Sequence, residues 1–306
     1  MIDRILNEIA GFKHYKDIIK IDKGFSLEEK YIISLQDSVE RYLLRLFPIN
    51  QLENKMNELD ILRRIEAINV KAIRAIEVGE IAGKGYMIST YIEGNDGEMV
   101  LPKLAPSDQY QIGLEAGREL YKMHKLHAPE HIQPWFERKR IKHNHYIGSY
   151  KKCGIKLDQD EKIMQFINQH MHLMLGRPNI FQHDDFHPGN LIIKNNLLAG
   201  IIDFGRYDYG DPIHEFLKIG IFTRNISVPF SIGQINGYFQ REAPPKEFWQ
   251  LYSLYLAMSV FSSIVWTLKV VPDDIENMLE KIDRILKDHD YFNRAQPSWY
   301  EPNYYS

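Results

Sequence analysis

The spacing of apolar residues changes character along this chain, and it predicts two regions. Ile5, Ile9, Phe12 and Ile19 recur at helical spacing and predict an amphipathic helix over the first twenty residues. Lys30 to Leu35 and Arg41 to Phe47 read as strands, joined by a turn at Asp37-Ser38 and closed by Pro48. Leu52, Met56, Leu59, Leu62 and Ile65 then mark a helix from about Leu52 to Ile68. Val70 to Val78 and Gly85 to Ile92 complete a small mixed region of strands around one helix. Turn-forming residues cluster at Glu93-Gly94-Asn95-Asp96-Gly97, which sets a boundary between residues 1–93 and 94–306.

Past that boundary helical spacing dominates. Ser107 to His127 carries Tyr110, Leu114, Gly117, Leu120 and Met123 on one stripe, with Ser107 as a candidate N-cap. Lys162 to Leu175 reads as a helix ended by Gly176 and Pro178. Short strands and a loop occupy Ile180 to Ile202, and helices return after Pro212 as far as about Asp288. Phe248 to Leu268 has no charged residue and is long enough to span a bilayer. Its serines, Gln250, Thr267 and two tyrosines fit better a helix buried at the centre of a helical region, so no membrane contact is expected.

Composition narrows the class. Among 306 residues, 44% are hydrophobic and 26% charged, as in soluble globular proteins, and a net charge of −3 gives no reason to expect nucleic acid as a partner. Cys153 is the only cysteine, which excludes an intrachain disulfide and makes a reducing cytoplasm the simplest setting. The N-terminal residues lack the apolar core of a signal peptide. Nothing in the sequence fixes an oligomeric state.

The chemistry concentrates in His183-Asp-Asp-Phe-His-Pro-Gly-Asn190 and Ile201-Ile-Asp-Phe-Gly205, which fit H-x-D-F-x-x-x-N followed by D-F-G. Phosphoryl transfer needs such a set because the transferred group is anionic, so catalysis is positioning plus charge neutralisation. Asp185 would orient and deprotonate the acceptor hydroxyl, while Asn190 and Asp203 would hold Mg²⁺ through hard oxygen ligands. Pro188-Gly189 places Asp185 and Asn190 in a tight loop, and the apolar runs up to Ile202 suit a hairpin returning Asp203 toward Asn190.

These segments identify the chain as resembling the aminoglycoside phosphotransferase family. Further likenesses are Lys23-Gly-Phe-Ser26 with Glu28 to Tyr31, Tyr42-Leu-Leu-Arg45, Tyr86 to Gly94, and Gly210-Asp-Pro212. The resemblance implies an α+β, bilobal protein-kinase-like fold. Its small N-terminal mixed lobe holds an antiparallel sheet, and its larger C-terminal lobe is mainly helical. It implies transfer of the γ-phosphate of ATP or GTP, with Mg²⁺, to a hydroxyl of a small molecule, most directly an aminoglycoside-like antibiotic.

Residue by residue, the resemblance makes Asp185 the catalytic base and Asn190 and Asp203 the metal ligands. His187 stands where protein kinases carry a lysine beside the γ-phosphate, to neutralise that group or to hold the loop, and His183 fixes the loop. Ser26 lies in the nucleotide loop. The Thr90 carbonyl and Ile92 N–H would read the purine edge. Arg45 replaces the usual phosphate-binding lysine and, as in macrolide phosphotransferases, leaves GTP open as donor. Its partner is expected to be Glu58, with Glu53 second, Glu58 being central in its helix and off the apolar stripe.

Gly24 stands alone where protein kinases carry a glycine-rich loop, and the segment after D-F-G is short, which argues against a peptide substrate. Asp211 reads as a helix cap before Pro212. Three rivals remain: a metabolic kinase of choline, homoserine, sugar or fructosamine type, a silent nucleotide-binding module, and a phosphohydrolase using His183, Asp184, His170 and His172 as metal ligands. Glu98, Asp158, Asp160 and Glu215 are candidates for holding a cationic acceptor, equally readable as surface charge.

Overall fold

The structure, a computed structural model, describes residues 2–21 and 28–301. Its chain divides into two compact units. The first comprises Met1–Asn95, Leu191–Asn195 and Ala199–Gly205, and the second Asp96–Asn190, Asn196–Leu198 and Arg206–Ser306.

The first unit opens with helix α1 (Ile2–Glu8) and continues through β1 (Tyr15–Ile21), β2 (Glu29–Leu35), β3 (Arg41–Pro48), α2 (Leu52–Ala67), β4 (Ala75–Ile81) and β5 (Lys84–Thr90). The strands form one antiparallel sheet in the order β1-β2-β3-β5-β4. Ile5, Leu6, Ile9 and Phe12 cover one face, against Ile33, Leu44, Leu46, Tyr86 and Ile88. Because successive side chains of a strand point to opposite faces, Arg45 and Phe47 project away from that cluster.

Two expectations are corrected here. The opening helix is only seven residues long, since Gly11 turns the chain at φ +83° and Tyr15–Ile21 pairs with β2 as a strand. Its β-branched isoleucines suit a pleated surface, and ladder pairing overrides the weak helical period. The strand expected from Val70 begins at Ala75 instead. Ile73 N–H donates to the Ile201 carbonyl, and that carbonyl draws the preceding residues away from the sheet.

The second unit begins after the two-residue strand β6 (Asn95–Asp96) with α3 (Gly97–Val100), α4 (Pro106–Met123), α5 (Trp135–Tyr150) and α6 (Asp160–His170). Strand β7 (Ile180–Gln182) precedes the motif loop and pairs antiparallel with β10 (Asp208–Gly210). Between them in the chain run β8 (Leu191–Lys194) and β9 (Leu197–Ile201), which fall mostly in the first unit and are joined by Asn195-Asn196 at positive φ, as the sequence predicted for a hairpin. The chain closes with α7 (Arg224–Ile226), α8 (Val228–Tyr238), α9 (Lys246–Val270) and α10 (Ile275–Asp288).

Helix α9 is the one helix among the described residues long and apolar enough to cross a membrane, yet 72% of its apolar window is buried within the protein. Helix α5 has no counterpart in the sequence reading. Charged and polar residues go nearly all the way round it, and only Trp135, His143 and Tyr150 are buried.

Helices α4 and α8 meet backbone to backbone. A Cβ on Gly113, Gly117, Gly233 or Gly237 would strike the main chain of the facing helix, at Phe230, Gln234, Tyr110 and Leu114 respectively. Gly117→Ala should therefore destabilise the protein by about 2–3 kcal/mol through overpacking. Chemical denaturation reads this as a lower midpoint, and an unchanged midpoint would mean that the helices separate at little cost.

Candidate active site

The loop after β7 is built around Asp185. Asn190, closing the short turn Pro188–Asn190, donates from Nδ2 to the Asp185 carbonyl (2.9 Å) and to Asp185 Oδ2 (3.3 Å). Gly189 N–H donates to His187 Nδ1 at 3.2 Å, which leaves the proton of this imidazole on Nε2, 3.6 Å from Asp185 Oδ1. A Cβ at Gly189 would sit 2.7 Å from the His187 ring, so glycine is required for the ring to lie there. Lys218 Nζ donates to Asp185 Oδ1 at 3.1 Å, and Arg206 Nη1 stands 4.0 Å from Oδ2. Burial alone would raise the Asp185 pKa. The His187 imidazole beside it and the Lys218 ammonium outweigh it and hold this carboxyl far below the usual range.

Lys218 was not expected from sequence. It lies at the start of a π-helical segment, Ile219–Thr223, whose Phe222 stacks obliquely on His187 (5.4 Å) and lies under the Lys218 ammonium (5.7 Å). Such π-turns cannot be read from apolar periodicity and recur at functional sites. His183 is fully buried, edge-on to Phe186 at 5.9 Å, in keeping with a loop-holding part.

Several acidic residues considered for a cationic acceptor have structural work. Glu215 is buried, accepts from Asp184 N–H at 3.2 Å and has His124 Nε2 at 4.0 Å. Asp160 is buried and accepts from the Tyr150 hydroxyl. Glu98, by contrast, is exposed, with Oε2 3.3 Å from where a Gly189 Cβ would be. Asp211 caps the turn Pro212–Phe216 through Ile213 N–H, and it also accepts from Arg177 and the Tyr255 hydroxyl.

The first unit has a charged cluster of its own. Arg45 Nη2 donates to Glu58 Oε1 at 2.5 Å, and Lys55 Nζ donates to Glu58 Oε2 at 2.9 Å. Glu28 joins them, 2.7 Å from Lys55 and 3.9 Å from Arg45. Glu58, 2% exposed, is thus the partner of Arg45, but the reason anticipated for it is reversed. It lies on the buried face of α2 with Lys55, Ile61, Leu62 and Ile65, whereas Met56 of the expected stripe is exposed. Burial disfavours the Arg45 charge; Glu58 and Glu28, with Asp203 beyond them, outweigh it and keep the guanidinium firmly ionised. Arg45 Nε has no hydrogen-bond partner among the described residues.

Asp203 follows β9 at φ +65°, exposed, and Gly205 lies within 3.5 Å of Glu58 Oε2, measured from an added Cβ. Thr90 ends β5, where it exchanges backbone and side-chain hydrogen bonds with Arg74, and Ile92 lies beyond the ladder with its side chain against Gly200. Ser26 and the loop around Gly24 lie outside the described residues.

The pairing of Asn190 with Asp185 suits a hard cation. With its NH₂ group committed to Asp185, the Asn190 amide oxygen is left as a ligand atom. The imidazoles of His170 and His172 instead lie against carbonyls of their own helical segment, Phe166 and Gln169. Among the described residues no three His, Cys, Asp or Glu side chains cluster as a metal site, which removes the support for the phosphohydrolase reading.

The sequence profile of the phosphotransferase enzyme family matches residues 17–249, and the chain belongs to that family. No curated protein sequence matches it. Among solved structures, a thermostable mutant of aminoglycoside phosphotransferase APH(4)-Ia, in ternary complex with AMP-PNP and hygromycin B, superposes with a TM-score of 0.67. It is 14% identical and covers 93% of this chain and 96% of its own. The streptomycin-ATP-APH(2")-IIa ternary complex gives 0.64 at 16% identity, covering 96% of each chain. The fold is therefore the protein-kinase-like fold of aminoglycoside phosphotransferases, and the protein is a phosphotransferase by family.

Proposed function

We propose that the protein transfers the γ-phosphate of ATP or GTP to a hydroxyl of a small molecule. The observation that carries this reading is Asp185, held ionised by Lys218 and His187 and fixed by Asn190, within the family's ordered motif. Asp185 accepts a hydrogen bond from the acceptor hydroxyl, aims its oxygen and receives its proton as the bond to the γ-phosphorus forms and the bond from that phosphorus to the β–γ bridging oxygen breaks, releasing nucleoside diphosphate. His187 and Lys218 offer cationic or N–H contacts beside the transferring group. Arg45, anchored by Glu58, would present its free Nε to the nucleotide phosphates, and the Thr90 carbonyl and Ile92 N–H would receive the purine. Asn190 and Asp203 would hold Mg²⁺, which supplies charge neutralisation on the phosphates when bound.

Asp203→Ala should weaken Mg²⁺-nucleotide binding at least about tenfold, roughly 1.4 kcal/mol. Calorimetry with ATP and with GTP measures it, and unchanged affinity would remove Asp203 from the metal site. Aminoglycosides are the acceptors named with the similar structures and are the first compounds to assay. Phosphorylated product tests the proposal as a whole.

A further inference from the structure

The ground beside Asp185 is basic, which is unusual in a chain of net charge −3. Helix α5 brings Arg138, Lys139, Arg140, Lys142 and His143 against a single acid, Glu137. Arg138 is taken up by Asp208 and the Tyr209 carbonyl, and Arg140 by Glu137. Lys139 and Lys142 have no carboxylate at ion-pair distance among the described residues. The Lys139 ammonium instead lies 2.6 Å from His214 Nε2 and over the Trp135 ring at 5.5 Å.

His214 is 8% exposed and walled by Trp135 and Tyr255 at 4.9 and 5.2 Å. Burial, and then Lys139, Lys142 and Lys218, push its pKa well below the ordinary value, so the ring is neutral and accepts at Nε2. The proton then sits on Nδ1, a buried donor without a hydrogen-bond partner, 4.0 Å from Asp184 Oδ1. An orphaned buried donor beside two lysines without counterions is the electrostatic outline of an anion site.

The cluster belongs with the reacting centre. Lys218, bonded to Asp185, acts on Lys139, His214 and Asp184 as well, and Asp184 precedes the catalytic carboxylate in the chain. Two carboxylates, Asp184 and Asp208, oppose Lys139, and Asp208 is already paired with Arg138. The Asp184 side chain keeps a third of its surface in water, its backbone is left-handed at φ +59°, and its pKa is raised to about 6, by burial first and with Glu215 adding. With Lys218 bonded to Asp185 and Asp208 to Arg138, a polycation would meet Lys139 and Lys142 with only Asp184 left to receive it. We propose that Lys139, Lys142 and His214 form an anion-binding part of the acceptor site, so that the acceptor is an alcohol bearing a carboxylate or a phosphate.

This inference rests on the kinase reading for its place in the reaction, but the subsite can be tested without turnover. Burial first, and then Lys142, push the Lys139 pKa down to about 7, so its amine can be acylated near neutral pH by a small reagent and read by mass spectrometry. Gluconate or glucose 6-phosphate should slow Lys139 acylation about tenfold at about ten times its Kd, and the two arms tell carboxylate from phosphate. Glucose and kanamycin should leave the rate unchanged. The inference is overturned if neither anion protects, if glucose or kanamycin protects equally, if Mg²⁺-ATP alone gives the full protection, or if Lys139 does not react in the free chain. In wild type, protection without any phosphorylated product would count against the kinase reading and leave the anion site standing. Where an anionic acceptor is turned over, Lys142→Glu should raise its KM about tenfold with kcat within about threefold, the signature of lost binding alone. A fall in kcat at constant KM would overturn the assignment.

Discussion

Asp185→Ala should lower phosphoryl transfer about a thousandfold, some 4 kcal/mol of transition-state stabilisation, while nucleotide still binds. The side chain accepts from Lys218 and Asn190 and lies 3.6 Å from the His187 ring, and no neighbouring carboxylate can replace it. Asp184 is next in sequence, but its side chain lies toward His214, 4.0 Å from Nδ1. Steady-state kinetics with product detection, set beside nucleotide affinity, measures the split. Full turnover in the variant would remove Asp185 from the mechanism. Loss of nucleotide binding in parallel would make it a structural residue of the loop.

Glu58→Ala should cost about 3–5 kcal/mol of stability, because it strands two cations that are nearly out of water. Arg45 and Lys55 would share Glu28 alone, at 3.9 and 2.7 Å. The same change frees the Arg45 fork from its orienting contact, so Mg²⁺-nucleotide affinity should fall as well. Denaturant unfolding together with calorimetry reads both. A neutral effect on stability would mean that water reaches the Arg45 and Lys55 network. Replacing Glu58 by glutamine, which keeps shape and one acceptor oxygen, should recover part of the loss.

Much of each candidate cluster was legible in the sequence because its parts are local. Asp185 and Asn190 lie five apart around Pro188-Gly189, and the loop geometry that brings Asn190 Nδ2 onto Asp185 follows from that spacing. Arg45 and Glu58 were found from a strand followed by a helix, although the helix face was misjudged. The rule that buried positions are apolar hid Lys55 and Glu58, which stand in line with Ile61, Leu62 and Ile65. Helix α5 left no apolar stripe to read. Its density of basic residues in an otherwise slightly acidic chain was the available signal. Lys139 and His214 are brought together from 75 residues apart, and Lys218 by a π-helical turn, so no short-range pattern could have joined them to Asp185. At the N-terminus the helical period that begins in α1 lost to strand pairing by Ile19, which depends on a partner elsewhere in the chain.

The most direct test of the account is phosphorus NMR of the 306-residue chain with Mg²⁺ and ATP, or GTP, against cationic, neutral and anionic alcohols. The account predicts a phosphomonoester signal rising in step with nucleoside diphosphate for at least one acceptor class and vanishing in Asp185→Ala. Bound nucleotide that gives no phosphomonoester with any class, or only inorganic phosphate, would contradict it.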